Sequence, residues 1–303
     1  MSILVFGHKS PDTDSICSSI SLTYLKNKLG VEATACALGE IRKEAEYALN
    51  YFKVDAPKII DSLNPDDSVI VVDHNEYAQS IDGLEDANVL EIIDHHKLGG
   101  MKSNLPLSVR IMPVGCTCTI VYNMFKENKV EVPYEIAGLL LSAILSDTLL
   151  FKSPTTTELD KIAGEELSKI AKIDMEKYAM DMFKYGTSLD GLSVEDIVHM
   201  DFKEFEMSGK RVGIGQVFTM DIDSVFGKKD EFLVYINSTD YDMLVLAVTD
   251  IIKEGSYILY KGEDSVLSGA FGVDASQGVF VDGVVSRKKQ LVPNLTDAIS
   301  ASN

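Results

Sequence analysis

No stretch of this 303-residue chain approaches the roughly 18 to 20 apolar residues of a membrane span. The longest apolar run, Leu139–Leu141 and then Ala143–Leu145, is broken by Ser142 and belongs in a buried helix. Cysteine is scarce: four in a chain of this size do not make a disulfide framework. One residue separates Cys116 from Cys118, which is neither the metal nor the redox spacing, so all four read as small buried thiols. No basic segment or export-type cleavage site precedes or follows the first apolar run, so a cytoplasmic protein is expected. Positive charge is also in deficit. With 28 Lys and Arg against 47 Asp and Glu, the net charge is −19. That balance argues against general affinity for nucleic acid or anionic membranes. It leaves room for a polyanionic substrate, because bound metal ions invert the local field. No internal repeat or low-complexity segment interrupts the chain.

The length favours two domains. In the first half, apolar runs alternate with helical patterns. Ile3–Phe6, Ala33–Leu38, Ser68–Asp73, Val89–Asp94 and Val109–Met112 read as strands, with helices after the first two. Runs this uniformly apolar, spaced by helices, predict a doubly wound α/β domain around a mainly parallel sheet. From Cys116 to about Met182 the pattern is helical. Residues 186–192, with Gly186 and Gly191 and little apolar weight, read as a hinge between a domain at 1–185 and a smaller one at 193–303. The second domain reads as mixed α/β. Strands are expected at Lys210–Phe218, Met243–Val248, Ser256–Tyr260 and Gly278–Val281. Helices are expected at Asp230–Ile236 and from Leu295 onward.

The chemistry-bearing residues cluster at strand ends. Gly7-His8-Lys9-Ser10-Pro11-Asp12-Thr13-Asp14-Ser15 lies on the turn between the first strand and its helix. Ligands bind at such turns in open α/β sheets. Ser-Pro-Asp and Asp-x-Asp-Ser are also common turn and helix-cap chemistry, so this loop alone leaves both readings open. Two further clusters resolve it: Asp73-His74-Asn75-Glu76 and Asp94-His95-His96-Lys97 close two more strands. A fourth candidate, Asp147, interrupts the apolar helix expected over Leu139–Leu150, where a carboxylate must be paired or metal-bound. Two cations about 3.5 to 4 Å apart need a carboxylate between them and several ligands on each side. His8, Asp12, Asp14, Asp73, His95 and Asp147 meet that need. Their oxygen-rich donor set, with a minority of imidazole, suits Mn²⁺ or Co²⁺ better than a thiolate-rich zinc site. His74 reads as a cap or a support for a ligand, His199 as a surface residue, Glu76 as solvated, and Ser15 as the cap of the first helix.

The second domain carries Ser286-Arg287-Lys288-Lys289-Gln290, a compact basic run in an acidic protein, and Lys203 just past the hinge. Charge runs are usually solvated faces. Here the exception to the global sign suggests an anion clamp, Arg giving bidentate and Lys point-charge contacts to phosphate oxygens. Metals on one domain and cations on the other describe a phosphoryl-transfer cleft between the two.

Together with Ser146-Asp147-Thr148-Leu149-Leu150-Phe151-Lys152-Ser153-Pro154, these motifs resemble the DHH phosphoesterase superfamily, named for the motif present as Asp94-His95-His96. Within it the chain resembles the family II, manganese-dependent inorganic pyrophosphatases, over essentially its whole length. The resemblance implies that His8, Asp12 and Asp73 hold one metal. It implies that Asp14, Asp73, His95 and Asp147 hold the other, with Asp73 bridging. It further implies that His96, Lys203, Arg287 and Lys288 contact the diphosphate. Two Mn²⁺ per site, replaceable by Co²⁺, are expected, with Mg²⁺ entering beside the substrate and a homodimer formed through the first domain. The regulatory nucleotide-binding insertion of some members has no room between Asp73 and Asp94 or between Asp94 and Asp147, so an unregulated short form is expected.

The nearest rivals are a DHH exopolyphosphatase and a nanoRNA phosphodiesterase. The second branch carries a glycine-rich motif ending in histidine in its second domain. The only histidine here after position 96 is His199, with no glycine pair before it. A non-catalytic metal or polyphosphate binder is a more remote alternative, because no ligand position is missing. The expected reaction is in-line attack of a hydroxide held between two metals, with His96 assisting the leaving phosphate.

Overall fold

The computed structural model describes residues 2–103 and 105–302. The chain divides into two compact units, one ending at Gly186 and the other starting at Thr187.

The first unit is built on six strands: β1 (Ile3–Phe6), β2 (Ala33–Ala37), β3 (Lys58–Ile59), β4 (Ser68–Val72), β5 (Asn88–Asp94) and β6 (Ser108–Ile111). They lie in the order β3-β2-β1-β4-β5-β6, and every pair is parallel. The doubly wound reading therefore holds, with strand bounds within about a residue or two of those expected from sequence. The strand order reverses between β1 and β4, so a crevice opens at their carboxyl ends. β4 shows why these runs looked uniformly apolar: Val69, Ile70, Val71 and Val72 are all buried, because both faces are covered. Only β3 escaped the sequence reading. It has two residues, both exposed, at the sheet edge.

Helices α1 (Thr13–Lys28), α2 (Lys43–Phe52), α3 (Thr117–Glu127), α4 (Tyr134–Asp147), α5 (Glu158–Ala171) and α6 (Met175–Gly186) complete the unit. α4 is its buried centre: Ile136–Leu145 are all buried, and Gly138 lies so close to the Phe52 ring that a Cβ there would approach to 2.2 Å. The helix ends at Asp147 rather than running to Leu150. Leu149, Leu150 and Phe151 then turn left-handed, with φ of 48°, 52° and 63°. The Thr148 hydroxyl accepts from Phe151 N at 3.2 Å and holds that turn.

The second unit orders α7 (Val194–His199), β7 (Phe202–Met207), β8 (Lys210–Thr219), α8 (Ile222–Phe226), α9 (Lys229–Ser238), β9 (Met243–Asp250), β10 (Gly255–Lys261), α10 (Asp264–Phe271), β11 (Val279–Asp282) and α11 (Val292–Ala301). Its sheet runs β11-β10-β9-β8-β7 and is antiparallel except for β8 beside β9, the mixed α/β arrangement expected. Alternation along β9 explains its burial. Met243, Val245 and Ala247 join the core with α10 and α11, while Leu244, Leu246 and Val248 join the one with α7 and α9. Leu189 and Leu192 pack against that second core. The edge strand β7 was not legible, because Lys203, Glu204 and Glu206 keep it mostly exposed.

Candidate metal centre

The carboxyl edge of the first unit's sheet gathers the strand-end clusters. His8 follows β1, Asp73 follows β4, and His95 and His96 follow β5. Asp12 and Asp14 lie at the start of α1 and Asp147 at the end of α4. Among the described residues, four groups of side chains bring ligand atoms within 4.8 Å of one another: Asp73, His95 and His96; Asp14, Cys116 and Cys118; and the two that match the expected ligand sets, His8, Asp12 and Asp73 in one and Asp14, His95 and Asp147 in the other.

Asp73 lies between the groups. Its Oδ2 is 3.5 Å from His8 Nε2, and its Oδ1 is 3.5 Å from His95 Nε2. Its backbone is left-handed, φ 59°, a conformation Asp tolerates better than most residues and one that clusters at functional sites. Ser15 Oγ donates to Asp73 Oδ2 at 2.7 Å, and Thr117 Oγ1 to Oδ1 at 3.3 Å. This corrects the role expected of Ser15. The cap of α1 is Asp12, which accepts from Ser15 N at 3.0 Å, while the Ser15 hydroxyl faces the centre. Gly7 makes this possible, since a Cβ there would meet Ser15 Cβ at 2.4 Å.

Each remaining ligand candidate is aimed by the backbone. His8 Nδ1 bonds the Lys9 carbonyl at 2.8 Å and His95 Nδ1 the Val114 carbonyl at 3.1 Å. Both rings thereby present Nε2 to Asp73, the arrangement that fixes tautomer in metal-binding histidines. Asp14, wholly buried, accepts from Thr117 N at 2.6 Å and Cys118 N at 3.0 Å. These amides are in the first turn of α3, whose dipole favours an anion there.

Asp94 plays a part that the sequence did not indicate. It is fully buried and accepts from His95 N at 2.7 Å and His96 N at 3.0 Å. Asn75 Nδ2 donates to its other oxygen. His96 Nδ1 lies 2.9 Å from Asp94 Oδ1, which leaves its Nε2 as the nitrogen free to act. His74 belongs to neither ligand group, but its ring meets that of His8 edge-on, with 6.4 Å between centroids. Its Nδ1 bonds the Val72 carbonyl at 2.9 Å, and burial lowers its pKa to about 4. His199 is exposed and bonds Tyr235. Glu76 Oε2 accepts from Gln79 at 3.4 Å.

The electrostatics test whether cations fit. Burial, with Asp14 next, raises Asp73 to about 7. Burial and the neighbouring Asp14, Asp73 and Asp12 push Asp147 well above the usual carboxylate range. Burial opposes charge on His8 and His95 but is outweighed, at His8 chiefly by its hydrogen bond to Asp12 and at His95 by that to Asp73. Both rise to about 9. The cluster thus draws protons to offset crowded carboxylates, a compensation that divalent cations supply more fully. Cys116 and Cys118 lie beside Asp14, but burial pushes both thiols well up, so they stay protonated and the accessible donors are oxygen and imidazole. That set fits a hard or borderline dication such as Mn²⁺.

In the second unit, Arg287 and Lys288 begin a π-helical turn that Ser286 caps. Arg287 N donates to Gln216 Oε1 at 2.9 Å, and its guanidinium grips Asp201 Oδ1 at 2.7 Å. Asp201 lies two residues before Lys203, so the turn and the start of β7 are joined. Lys203 and Lys288 are exposed and have no ion-pair partner among the described residues.

Residues 2–144 match the model of the DHH family N-terminal domain, and residues 180–298 that of the DHHA2 domain. A "probable manganese-dependent inorganic pyrophosphatase" of Clostridium acetobutylicum is 49% identical over 303 residues, covering 98% of both chains. The manganese-dependent inorganic pyrophosphatase of Bacillus subtilis is 45% identical over 305 residues, covering 98% of this chain and 99% of that one. The crystal structure titled as a "putative family II inorganic pyrophosphatase" of Methanococcus jannaschii matches with a TM-score of 0.64 and 41% identity. The match covers 99% of this chain and 100% of the other. A parallel sheet with carboxylates and imidazoles at its switch point, followed by a DHHA2 unit, defines a two-domain DHH phosphoesterase. At this identity and full-length coverage, the chain belongs to the manganese-dependent, family II inorganic pyrophosphatases.

Proposed function

We propose that the chain hydrolyses inorganic pyrophosphate to two phosphates, with one Mn²⁺ held by His8, Asp12 and Asp73 and a second by Asp14, Asp73, His95 and Asp147. The observation that carries this reading is the position of Asp73, whose two oxygens face His8 and His95 at 3.5 Å each. Two such ions supply Lewis acidity, making water acidic enough to attack phosphorus at neutral pH and neutralising phosphoryl oxygens.

The chain's own residues complete the reaction. Asp94 holds the Nδ1 proton of His96, so Nε2 is placed to donate a proton to the departing phosphate. The Asp94 hydrogen bond, opposed by burial, raises the His96 pKa, which favours the protonated donor. Lys203, Arg287 and Lys288 hold the leaving phosphate and its charge. Residues 186–192 act as the hinge by which the second unit closes over substrate and excludes water. Scattering with and without a non-hydrolysable diphosphate should give two different envelopes, and one unchanged envelope would contradict closure. Mg²⁺ enters with the diphosphate, and Co²⁺ replaces Mn²⁺.

Two copies pair through the first unit in the cytoplasm. Edge strand β6 supports this pairing, because it bonds only β5 among the described residues and Val109 on it is half exposed. Phosphate release from chelated, then Mn²⁺-reconstituted, protein tests the whole reading. Turnover should appear with pyrophosphate and be absent with a short oligonucleotide. Faster release from long polyphosphate would reassign the enzyme as an exopolyphosphatase, and no release at all would leave a binder.

A further inference from the structure

Glu44 belongs to none of the sequence motifs and to neither ligand group. It sits in the first turn of α2, yet its carboxylate reaches two chain segments that carry ligands. Ser146 Oγ donates to Glu44 Oε2 at 2.6 Å, and Ser146 immediately precedes Asp147. Thr13, buried between Asp12 and Asp14, faces the same carboxylate and favours its charged form. One side chain on a separate helix thus holds the neighbour of Asp147 and faces the neighbour of Asp12 and Asp14.

The Asp147 end needs such an anchor. α4 stops at Asp147, and the following residues leave in a left-handed turn. Left-handed residues cost roughly 1–2 kcal/mol each, so the turn persists only where surrounding contacts hold it. Across the centre, Asp14 is fixed to α3 by two backbone amides. α1 packs directly on α4, and at this point the Glu44 carboxylate is bonded to Ser146 and faces Thr13.

We propose that Glu44 is a positioning residue of the metal centre, clamping the Asp12–Asp14 turn to the end of α4 so that Asp14 and Asp147 converge on one ion. This rests on the two-metal reading and deepens it. A remote residue acts on the same clamp. Gly186, the last residue of α6, packs so tightly on Glu44 that a Cβ there would lie 2.2 Å from Glu44 Cγ. Gly186→Ala therefore displaces the Glu44 side chain without removing its carboxylate. It also replaces a poor helix former with a good one.

The test is Mn²⁺ titration of the chelated full-length protein, followed by electron paramagnetic resonance of the free ion, beside melting of the metal-free form. Wild type should take up two Mn²⁺. Glu44→Ala should weaken one of them by about 10- to 100-fold, the usual effect of removing a group that orients a metal ligand. Its kcat should recover at saturating Mn²⁺. Glu44→Gln, which keeps an acceptor oxygen, should restore most of the affinity. Gly186→Ala should weaken the same ion while the metal-free melting temperature holds or rises, which a merely structural role would not produce. Fewer than two Mn²⁺ in wild type would overturn the two-metal reading itself. Two tight Mn²⁺ in wild type and in both Glu44→Ala and Gly186→Ala would overturn the clamp alone.

Discussion

Ser15→Ala is the substitution that most directly probes how this centre is supported. The Ser15 hydroxyl donates to Asp73 Oδ2 at 2.7 Å and accepts from His8 N at 3.3 Å. It therefore supports the carboxylate between the two groups and the backbone of a second ligand candidate. The residue is 1% exposed, so water does not replace the lost bonds. Alanine keeps the Cβ that packs against Gly7 and opens no sizeable cavity. A hydrogen bond to a charged group contributes about 1.5–3 kcal/mol. At about 1.4 kcal/mol per tenfold, Mn²⁺ affinity should fall by roughly 10- to 100-fold. The stabilisation that bound Mn²⁺ lends the fold should shrink by the same energy. For a unit of this size, that narrows the melting gap between metal-loaded and metal-free protein by roughly 3–10 °C.

The assay is Mn²⁺ titration with melting curves at fixed Mn²⁺, run beside a matched control. Ser18 lies one turn further along α1, and its buried hydroxyl has no hydrogen-bond partner among the described residues. Ser18→Ala removes the same atom from the same helix without touching Asp73, so it should leave both readouts unchanged. Mn²⁺ affinity in Ser15→Ala within twofold of wild type would refute the claim that Asp73 is held by its neighbours. Equal losses in both variants would assign the effect to α1 as a whole.

Asp147→Asn should release one Mn²⁺ and lower turnover by orders of magnitude at limiting metal, and near-normal rates there would remove Asp147 from the ligand set. Asp94→Asn should lower kcat by about 10- to 100-fold with Mn²⁺ binding largely kept, because asparagine keeps an oxygen for the His95 amide but loses the charge that holds the His96 ring; a matching loss of metal affinity would place Asp94 differently. Lys288→Ala should reduce kcat/KM by roughly 10- to 100-fold, the energy of one charge-assisted phosphate contact. Metal titrations of that variant should match wild type, and a shift as large as the kinetic one would break the division of labour between the units. Gly138→Ala should destabilise by about 1–3 kcal/mol, since its Cβ would press on the Phe52 ring at 2.2 Å. An unchanged melting temperature would mean that α2 and α4 part more easily than their packing implies.

What was legible from sequence follows from where the chemistry lies. Uniformly apolar strands of a twice-covered sheet announce themselves, and each of β1, β4 and β5 ends in residues that cannot belong to its core. His8, Asp73 and His95 are therefore readable as one edge from the sequence alone. Asp147 was legible as a polar residue in an apolar helix, but the helix end was not. Leu149, Leu150 and Phe151 carry no glycine to advertise a left-handed turn, which rests on the Thr148 hydroxyl and on Phe151 packed against Gly164. β7 was missed because an exposed edge strand needs little apolar pattern.

The residues that support the ligands were the least legible, for a common reason. Ser15, Asp94 and Glu44 act through hydrogen bonds to partners distant in sequence: Ser15 to Asp73, Asp94 to Asn75, Glu44 to Ser146. In one dimension, each resembles something ordinary: a cap, a member of a ligand motif, a solvated helix charge. Only the fold distinguishes them. Ser15 points inward because Gly7 leaves room for it, and Asp94 is buried because β5 carries it under both histidines. A metal centre at a switch point draws its ligands from strand ends, where backbone direction places them. Its rigidity must come from the helices that pack beside those ends, since a carboxylate on a loop has no fixed orientation of its own. The exchangeable part of such a site is therefore its support, and differences in Mn²⁺ affinity among chains with identical ligands should trace to positions such as 15 and 44.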